Sequence, residues 1–169
     1  PNNAQQLTIP EPGQAFSYAI SALEGGRMGT DQNQSARMAV RYPDTAFESH
    51  GNYGVQYSLT LPLTNPTRQA KTVSLAVETP LKFNDAADKL TFLVPPARNI
   101  FFRGTVQFRY TDDRGQDQNR FYHLVQRRGQ RGEDLVTLTL KPGERRTVQV
   151  DLLYPPDATP PQLLTVKTR

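Results

Sequence analysis

The chain has no cysteine and no tryptophan, and only two histidines among its 169 residues. Without cysteine there is no disulfide framework and no thiolate metal site, although export stays compatible, since bacterial periplasmic proteins often fold without disulfides. No apolar run approaches the roughly 20 residues that a membrane-spanning helix needs. The sequence opens at Pro1 without a basic, apolar, small-residue signal pattern, so either a leader was removed or none was present. Neither sign of charge dominates: the net charge is +4. The basic residues are mostly arginine and crowd between Arg98 and Arg146. That balance favours anionic partners modestly, but it is not the dense basic stripe of a nucleic-acid binder.

What is present points to strands. The apolar share is 36% and the mean hydropathy −0.62, which suits sheets with one face in water better than a doubly covered parallel sheet. Leu, Val, Phe and Tyr are still frequent enough to build a core. Fourteen prolines and eleven glycines punctuate short elements. At this length one domain is expected.

Along the chain, residues 1–14 read as a polar N-terminal arm and 15–169 as a single domain. Ala15 to Ala22 alternates Phe16, Tyr18 and Ile20 on one side, which predicts a strand. Glu24 to Ser35 and Asp44 to Asn52 read as long irregular loops around a short strand, Arg37 to Tyr42. In Tyr53 to Leu63, Val55, Tyr57, Leu59, Leu61 and Leu63 alternate with polar residues, a half-buried strand whose Pro62 sets that end at a sheet edge or past the sheet. Lys71 to Thr79 turns Val73, Leu75 and Val77 inward, and the two segments are expected to pair as a hairpin through TNPTRQA. Asn84 can cap a helical turn, and Leu90 to Val94 can form a strand.

Asn99 to Tyr110 separates Phe102, Gly104, Val106, Phe108 and Tyr110 from Phe101, Arg103, Thr105, Gln107 and Arg109. It forms a hairpin with Arg120 to Arg128, whose inward register the pattern leaves open. Asp134 to Leu140, a Pro-Gly turn, Arg146 to Tyr154 (Val148, Val150 and Leu152 on one face), a proline-rich connector and Leu163 to Thr168 complete the chain. The pattern predicts an all-β fold, an antiparallel two-sheet sandwich, immunoglobulin-like or jelly-roll-like, with long irregular loops.

The stretches GGRMGTDQNQSARMAVRYPDTAFESHGNYGVQY, IFFRGTVQFRYTDDRG, HLVQRRGQRGE and LLYPPDATPPQLLTV cover most of the chain after Gly25. There the chain resembles the C-terminal part of a family of cyanobacterial exported proteins catalogued as a domain of unknown function. Members of that family are larger and carry a further N-terminal region. The resemblance implies a cyanobacterial source, a place in the cell envelope and a missing N-terminal part, and it carries over no activity, ligand or catalytic residue. The closing run VTLTLKPGERRTVQVDLLYPPDATPPQLLTV also looks like the last strands of immunoglobulin-like envelope modules.

Chemistry-bearing residues are sparse. His50 sits beside Glu48 and Ser49 in a loop and His123 inside a strand, and neither has a triad spacing or a G-x-S-x-G elbow around it. Asp112, Asp113, Asp117 and Asn119 crowd one hairpin tip, an oxygen-rich loop of the kind that attracts Ca²⁺, yet the spacing matches no EF-hand and a solvated turn explains it equally. FFRGTVQF is similar to an RNA-binding strand, but Thr105 and Val106 stand where its stacking platform needs other residues. Tyr42, Tyr53 and Tyr57 are the candidate sugar platforms.

The arginines are the strongest lead. Arg103 and Arg109 share the outer face of one strand, and Arg127, Arg128 and Arg131 end its hairpin partner. Guanidinium forks so placed bind sulfate, carboxylate or phosphate groups. The plainer reading pairs them with Asp112, Asp113, Glu133 and Asp134 as ordinary surface ion pairs. The expected function is a non-enzymatic structural or binding module of the bacterial cell envelope that contacts anionic glycan or another protein. It needs no cofactor, resident metal or nucleic acid. The alternative is a glycan-acting hydrolase in which Asp31, Asp44 and Glu48 meet as paired loop carboxylates.

Overall fold

A computed structural model describes residues 6–21, 36–37, 48–49, 56–81 and 90–169. Eleven strands run in chain order among these residues: β1 Leu7–Thr8, β2 Ala15–Ser21, β3 Ala36–Arg37, β4 Glu48–Ser49, β5 Gln56–Thr64, β6 Lys71–Glu78, β7 Ile100–Thr111, β8 Asp117–Arg127, β9 Val136–Leu140, β10 Arg145–Leu153 and β11 Gln162–Thr168. No helix occurs among the described residues. One sheet has the order β1-β5-β10-β7-β8 and the other β2-β11-β6-β9, while β3 and β4 form a separate small pair. All pairings are antiparallel except β1 with β5.

The period-two pattern places the core. From the five-stranded sheet, Leu61, Leu63, Phe102, Val106, Phe108, Val148, Val150 and Leu152 point inward. They meet Val73, Leu75, Val77, Val136, Leu138, Leu140, Leu164 and Val166 of the other sheet, all in one apolar cluster. Two sheets whose inner faces share one core are a sandwich. The inward register of β8 also resolves: Tyr122 and Leu124 pack toward the core and Gln126 is buried, while Phe121, His123 and Val125 face outward.

Several expectations need correction. β5 and β6 do not form a hairpin; they belong to different sheets. The intervening turn is a corner from one sheet to the other, and alternation alone cannot distinguish a corner from a hairpin, since both leave one face of each strand apolar. The reason lies at Asn65, which is fully buried. Its Nδ2 donates to the carbonyls of Gln69 (2.8 Å), Leu140 (3.0 Å) and Lys141 (3.2 Å). Its Oδ1 accepts from the N–H and hydroxyl of Thr67. Its own N–H donates to Glu144 O and its carbonyl accepts from Gly143 N–H. Asn65 thereby binds its own corner to the second one, residues 141–144, where β9 crosses back to β10. There Glu144 N–H donates to Lys141 O at 3.0 Å. Gly143 takes φ 71° after Pro142, the geometry of a type II turn.

The segment read as an arm is docked over its described part. Leu7–Thr8 adds in parallel to β5, and Ile9 is buried in the core. Pro62 lies within β5 rather than beyond it. Thr64 O accepts from Ile9 N–H, so its β1-facing side is fixed, and Pro62, two residues earlier, turns its missing N–H the same way, past the end of the two-residue β1. Tyr18 is 48% exposed because β2 is an edge strand, where the inner side stays open. Residues 90–94 form no strand, although Leu93 N–H donates to Gly129 O. Of the strand expected over 37–42, Ala36–Arg37 pairs with Glu48–Ser49, and the remainder lies outside the described residues, as do Val55 and the cap at Asn84. Gly132, where the chain passes from β8 toward β9, has no room for a side chain, since a Cβ would run into the Val77 carbonyl.

Asn65→Ala strips the donors from two corners and leaves buried carbonyls unpaired. It is expected to lower unfolding free energy by about 3 kcal/mol, against about 1 kcal/mol for Thr67→Ala. Urea denaturation read by intrinsic tyrosine fluorescence and far-UV circular dichroism checks both values.

Candidate functional site

With β10 between β5 and β7, the water-facing residues of four strands fall into rows across the five-stranded sheet. Thr60, Gln149, Arg109 and Asn119 stand in one row, and Ser58, Asp151, Gln107 and Phe121 in the next. The rows are laced by side-chain bonds: Thr60 Oγ1 to Gln149 Oε1 at 2.7 Å, Gln149 Nε2 to Ser58 Oγ at 2.9 Å, Ser58 Oγ to Asp151 Oδ1 at 2.7 Å, and Gln107 Nε2 to Asn119 Oδ1 at 2.8 Å. Further along, the Thr105 hydroxyl and His123 Nδ1 lie 2.6 Å apart. This open face presents fixed donors and acceptors, with Phe121 59% exposed among them.

Asp151 anchors the middle of the face. Arg109 Nη2 donates to its Oδ2 at 2.8 Å. Burial alone would raise the Asp151 carboxyl, but hydrogen bonds from Ser58 and Arg109 and the guanidinium charge outweigh it and hold the pKa below the ordinary aspartate value. A groove of about 320 Å³ lined by Arg109, Thr111, Asp117, Asn119 and Thr147 lies toward the hairpin tip.

The five arginines divide. Arg109 is ion-paired, though not with any acid adjacent in sequence; its partner Asp151 is 42 residues away. Arg131 sits over the Phe92 ring, 4.6 Å from the centroid, a cation–π contact. Arg103, Arg127 and Arg128 are exposed, and among the described residues no acid pairs with any of them. Three of the four acids expected to neutralise them are engaged elsewhere, Asp112 in its own turn. Asp113 pairs with Arg146 at 2.7 Å and caps Thr139 N–H, and Asp134 faces Lys167 and Arg169. Arg98, not singled out by the sequence pattern, joins this group. Its neighbours on either side are tied to Arg128, with Ala97 N–H donating to Arg128 O and Arg128 N–H to Asn99 O. No periodicity signals an irregular segment clamped to a strand end.

The tip acids are turn and corner ligands. Asp112 Oδ1 accepts from the N–H groups of Arg114 and Gln116, and its Oδ2 from Gln118. These bonds, that of the Gln116 N–H foremost, lower its pKa. Asp117 accepts from the Thr111 hydroxyl. No group of three or more His, Asp or Glu side chains converges among the described residues. Arg146, partly buried at the sandwich end, joins Asp113 to Glu144 and to Thr139 O, so the tip of the β7–β8 hairpin is tied to β9.

Tyr57 packs against the core rather than outward as a sugar platform. Tyr42, Tyr53, His50, Asp31 and Asp44 lie outside the described residues, and Glu48 is described only in its backbone pairing with Arg37. The Thr105–His123 pair has a hydroxyl beside an imidazole, but no third group orients the ring among the described residues.

Asp151 has a depressed folded pKa, so its stabilisation is complete above the unfolded value of about 3.9 and is lost as pH falls through the folded one. Asp151→Asn is expected to cost about 1 kcal/mol at neutral pH and to flatten the fall in stability below about pH 4. Urea midpoints measured across pH 2 to 7 check this, and an unchanged acid slope contradicts the assignment.

The chain belongs to a family: the model of Protein of unknown function (DUF3370) matches residues 1–168, a span that includes the segment before Gly25. No curated protein and no solved structure matches it.

Proposed function

Starting from that membership, we propose that the chain is a non-enzymatic binding module of the bacterial cell envelope whose ligand is an anionic glycan. The outer face of the five-stranded sheet is its contact surface. The observation that carries the reading is the end of the β7–β8 hairpin, where Arg98, Arg103, Arg127 and Arg128 have no acidic partner among the described residues while Arg109, Arg146 and Arg169 do. Guanidinium groups already committed to carboxylates have little to offer an incoming anion, whereas uncommitted ones can receive sulfate, carboxylate or phosphate as a fork. The adjoining rows of amides and hydroxyls suit sugar hydroxyls, each group able to donate and accept, and Phe121 adds an apolar surface. The envelope location rests on the resemblance to exported proteins.

The cationic end takes the charged substituent and the polar rows take the ring hydroxyls. Such a site works by many weak contacts held in a fixed register, so affinity per sugar is low and repeats along a polymer raise it.

The test is binding to an array of sulfated, uronate-bearing and phosphorylated glycans, followed by titration calorimetry on the best ligand. Substituting Arg103, Arg127 and Arg128 together by Ala is expected to weaken binding at least about tenfold, while the urea midpoint moves little because exposed positions contribute little to stability. Binding that is indifferent to the triple substitution, or absent from every anionic glycan, overturns the proposal.

A further inference from the structure

β8 closes one side of the five-stranded sheet. It runs eleven residues, Asp117–Arg127, without proline or glycine. Edge strands of that length are normally shielded, because their free N–H and C=O groups pair readily with another chain. The orientation of its free groups follows from its ends. Arg128 N–H donates to Asn99 O, toward β7, whereas Arg127 N–H donates away from β7 to the Gln130 side chain at 2.7 Å. Main-chain direction alternates along a strand, so Asn119, Phe121, His123 and Val125 turn their N–H and C=O groups to the open side. Space of about 190 Å³ opens beside this edge, bordered by His123, Val125 and Gln126 of the strand and by Gln130 and Glu133. On the outer face of the strand, Phe121 and Val125 stand 59% and 50% exposed.

We propose that β8 pairs with β8 of a second copy of this chain, antiparallel about a two-fold axis at Tyr122, joining two five-stranded sheets into one. The residue order of β8 selects this occupant and this register. Turned end for end about Tyr122, the strand sets Phe121 opposite His123, Asn119 opposite Val125 and Asp117 opposite Arg127, each pair occurring twice. All of these residues face the open side, so every opposed pair from 119 to 125 exchanges main-chain bonds. Asp117 and Arg127 have no ion-pair partner among the described residues, and the dimer supplies one at both ends, leaving Arg98, Arg103 and Arg128 as the uncommitted guanidinium groups. A slip by two residues in one sense sets Asp117 against Val125, and in the other sets Arg127 against Asn119. Either slip loses both ion pairs. Side chains of the paired odd residues lie on the outer face in both copies, so the polar rows continue across the axis.

Sedimentation equilibrium of the whole chain over micromolar to millimolar concentration is expected to show a monomer–dimer equilibrium. His123→Pro removes an outward N–H without touching a main-chain bond to β7, giving up only the side-chain bond with the Thr105 hydroxyl, and is expected to weaken the dimer at least about tenfold, a loss of about 1.4 kcal/mol. D117R and R127D are each expected to weaken it, and the D117R/R127D double variant to restore it, because the exchanged charges oppose one another again. A monomer at every concentration, a dimer insensitive to His123→Pro, or a double variant no tighter than the single ones overturns the proposal.

Discussion

A fully buried asparagine holds together two of the places where the chain leaves one sheet for the other. A corner between stacked sheets is costly because the strand loses its neighbours and its main-chain groups turn into the protein, where an unpaired carbonyl has no water to bond. Asn65 meets that cost at both corners at once. Its amide nitrogen serves three carbonyls from two turns, its oxygen holds Thr67, and its own main chain pairs with Gly143 and Glu144. Aspartate lacks the donors for those carbonyls, and glutamine is a methylene too long to reach them from the same backbone. The side chain is polar at a position surrounded by core, and every polar atom in it is used, the condition under which a buried amide stabilises rather than burdens a fold.

The strand order follows from those corners. Because β5 turns into the opposite sheet instead of folding back, its place beside β10 is open, and Ser58 meets Asp151 and Thr60 meets Gln149 across about ninety residues of chain. The β7–β8 half of the outer face forms within one hairpin, with Gln107 bonded to Asn119 and Thr105 to His123, but its union with β5 and β10 rests on such distant encounters. No row is complete until β5 and β10 have paired beside β7. The same holds at the sandwich end, where Arg146 joins the tip of the β7–β8 hairpin to the β9–β10 corner. Burial would lower the Arg146 pKa, but the carboxylates of Asp113 and Glu144 outweigh it and raise it, fixing the charge in place.

Strands and faces were legible in the sequence where a segment alternates over six or more residues. Val73, Leu75 and Val77, Phe102, Val106 and Phe108, and Val148, Val150 and Leu152 all point inward as their spacing requires. Strand order was not legible. A hairpin and a corner share the same turn residues, and TNPTRQA gives no sign that its asparagine reaches a turn 75 residues on. Short pieces escaped for a related reason: Leu7–Thr8 is a strand only because β5 lies beside it. The five arginines were visible as a group, but their sorting into paired and unpaired was not, since Asp151 becomes a neighbour of Arg109 only through β10. Nor could local spacing show that Asp113 and Asp134 are taken by other cations.

That sorting bears on what the unpaired arginines are for. An exposed ion pair contributes little, so leaving four arginines unpaired forfeits little stability, and their mutual repulsion is screened beyond about 8 Å at physiological salt. Stability therefore neither demands the cluster nor forbids it. The same chain uses arginine differently elsewhere: Arg146 is partly buried, held by two carboxylates and two carbonyls, and placed where the tip of the β7–β8 hairpin meets the β9–β10 corner. Arg103, Arg127 and Arg128 have none of these marks. They project from the end of a hairpin whose other end is tied down by Asp113, so the cationic end rests on a rigid scaffold. A rigid element that carries uncommitted guanidinium groups loses little conformational freedom in the backbone when an anion arrives. The side chains alone must order, and each has a fork that fits the ligand before binding begins.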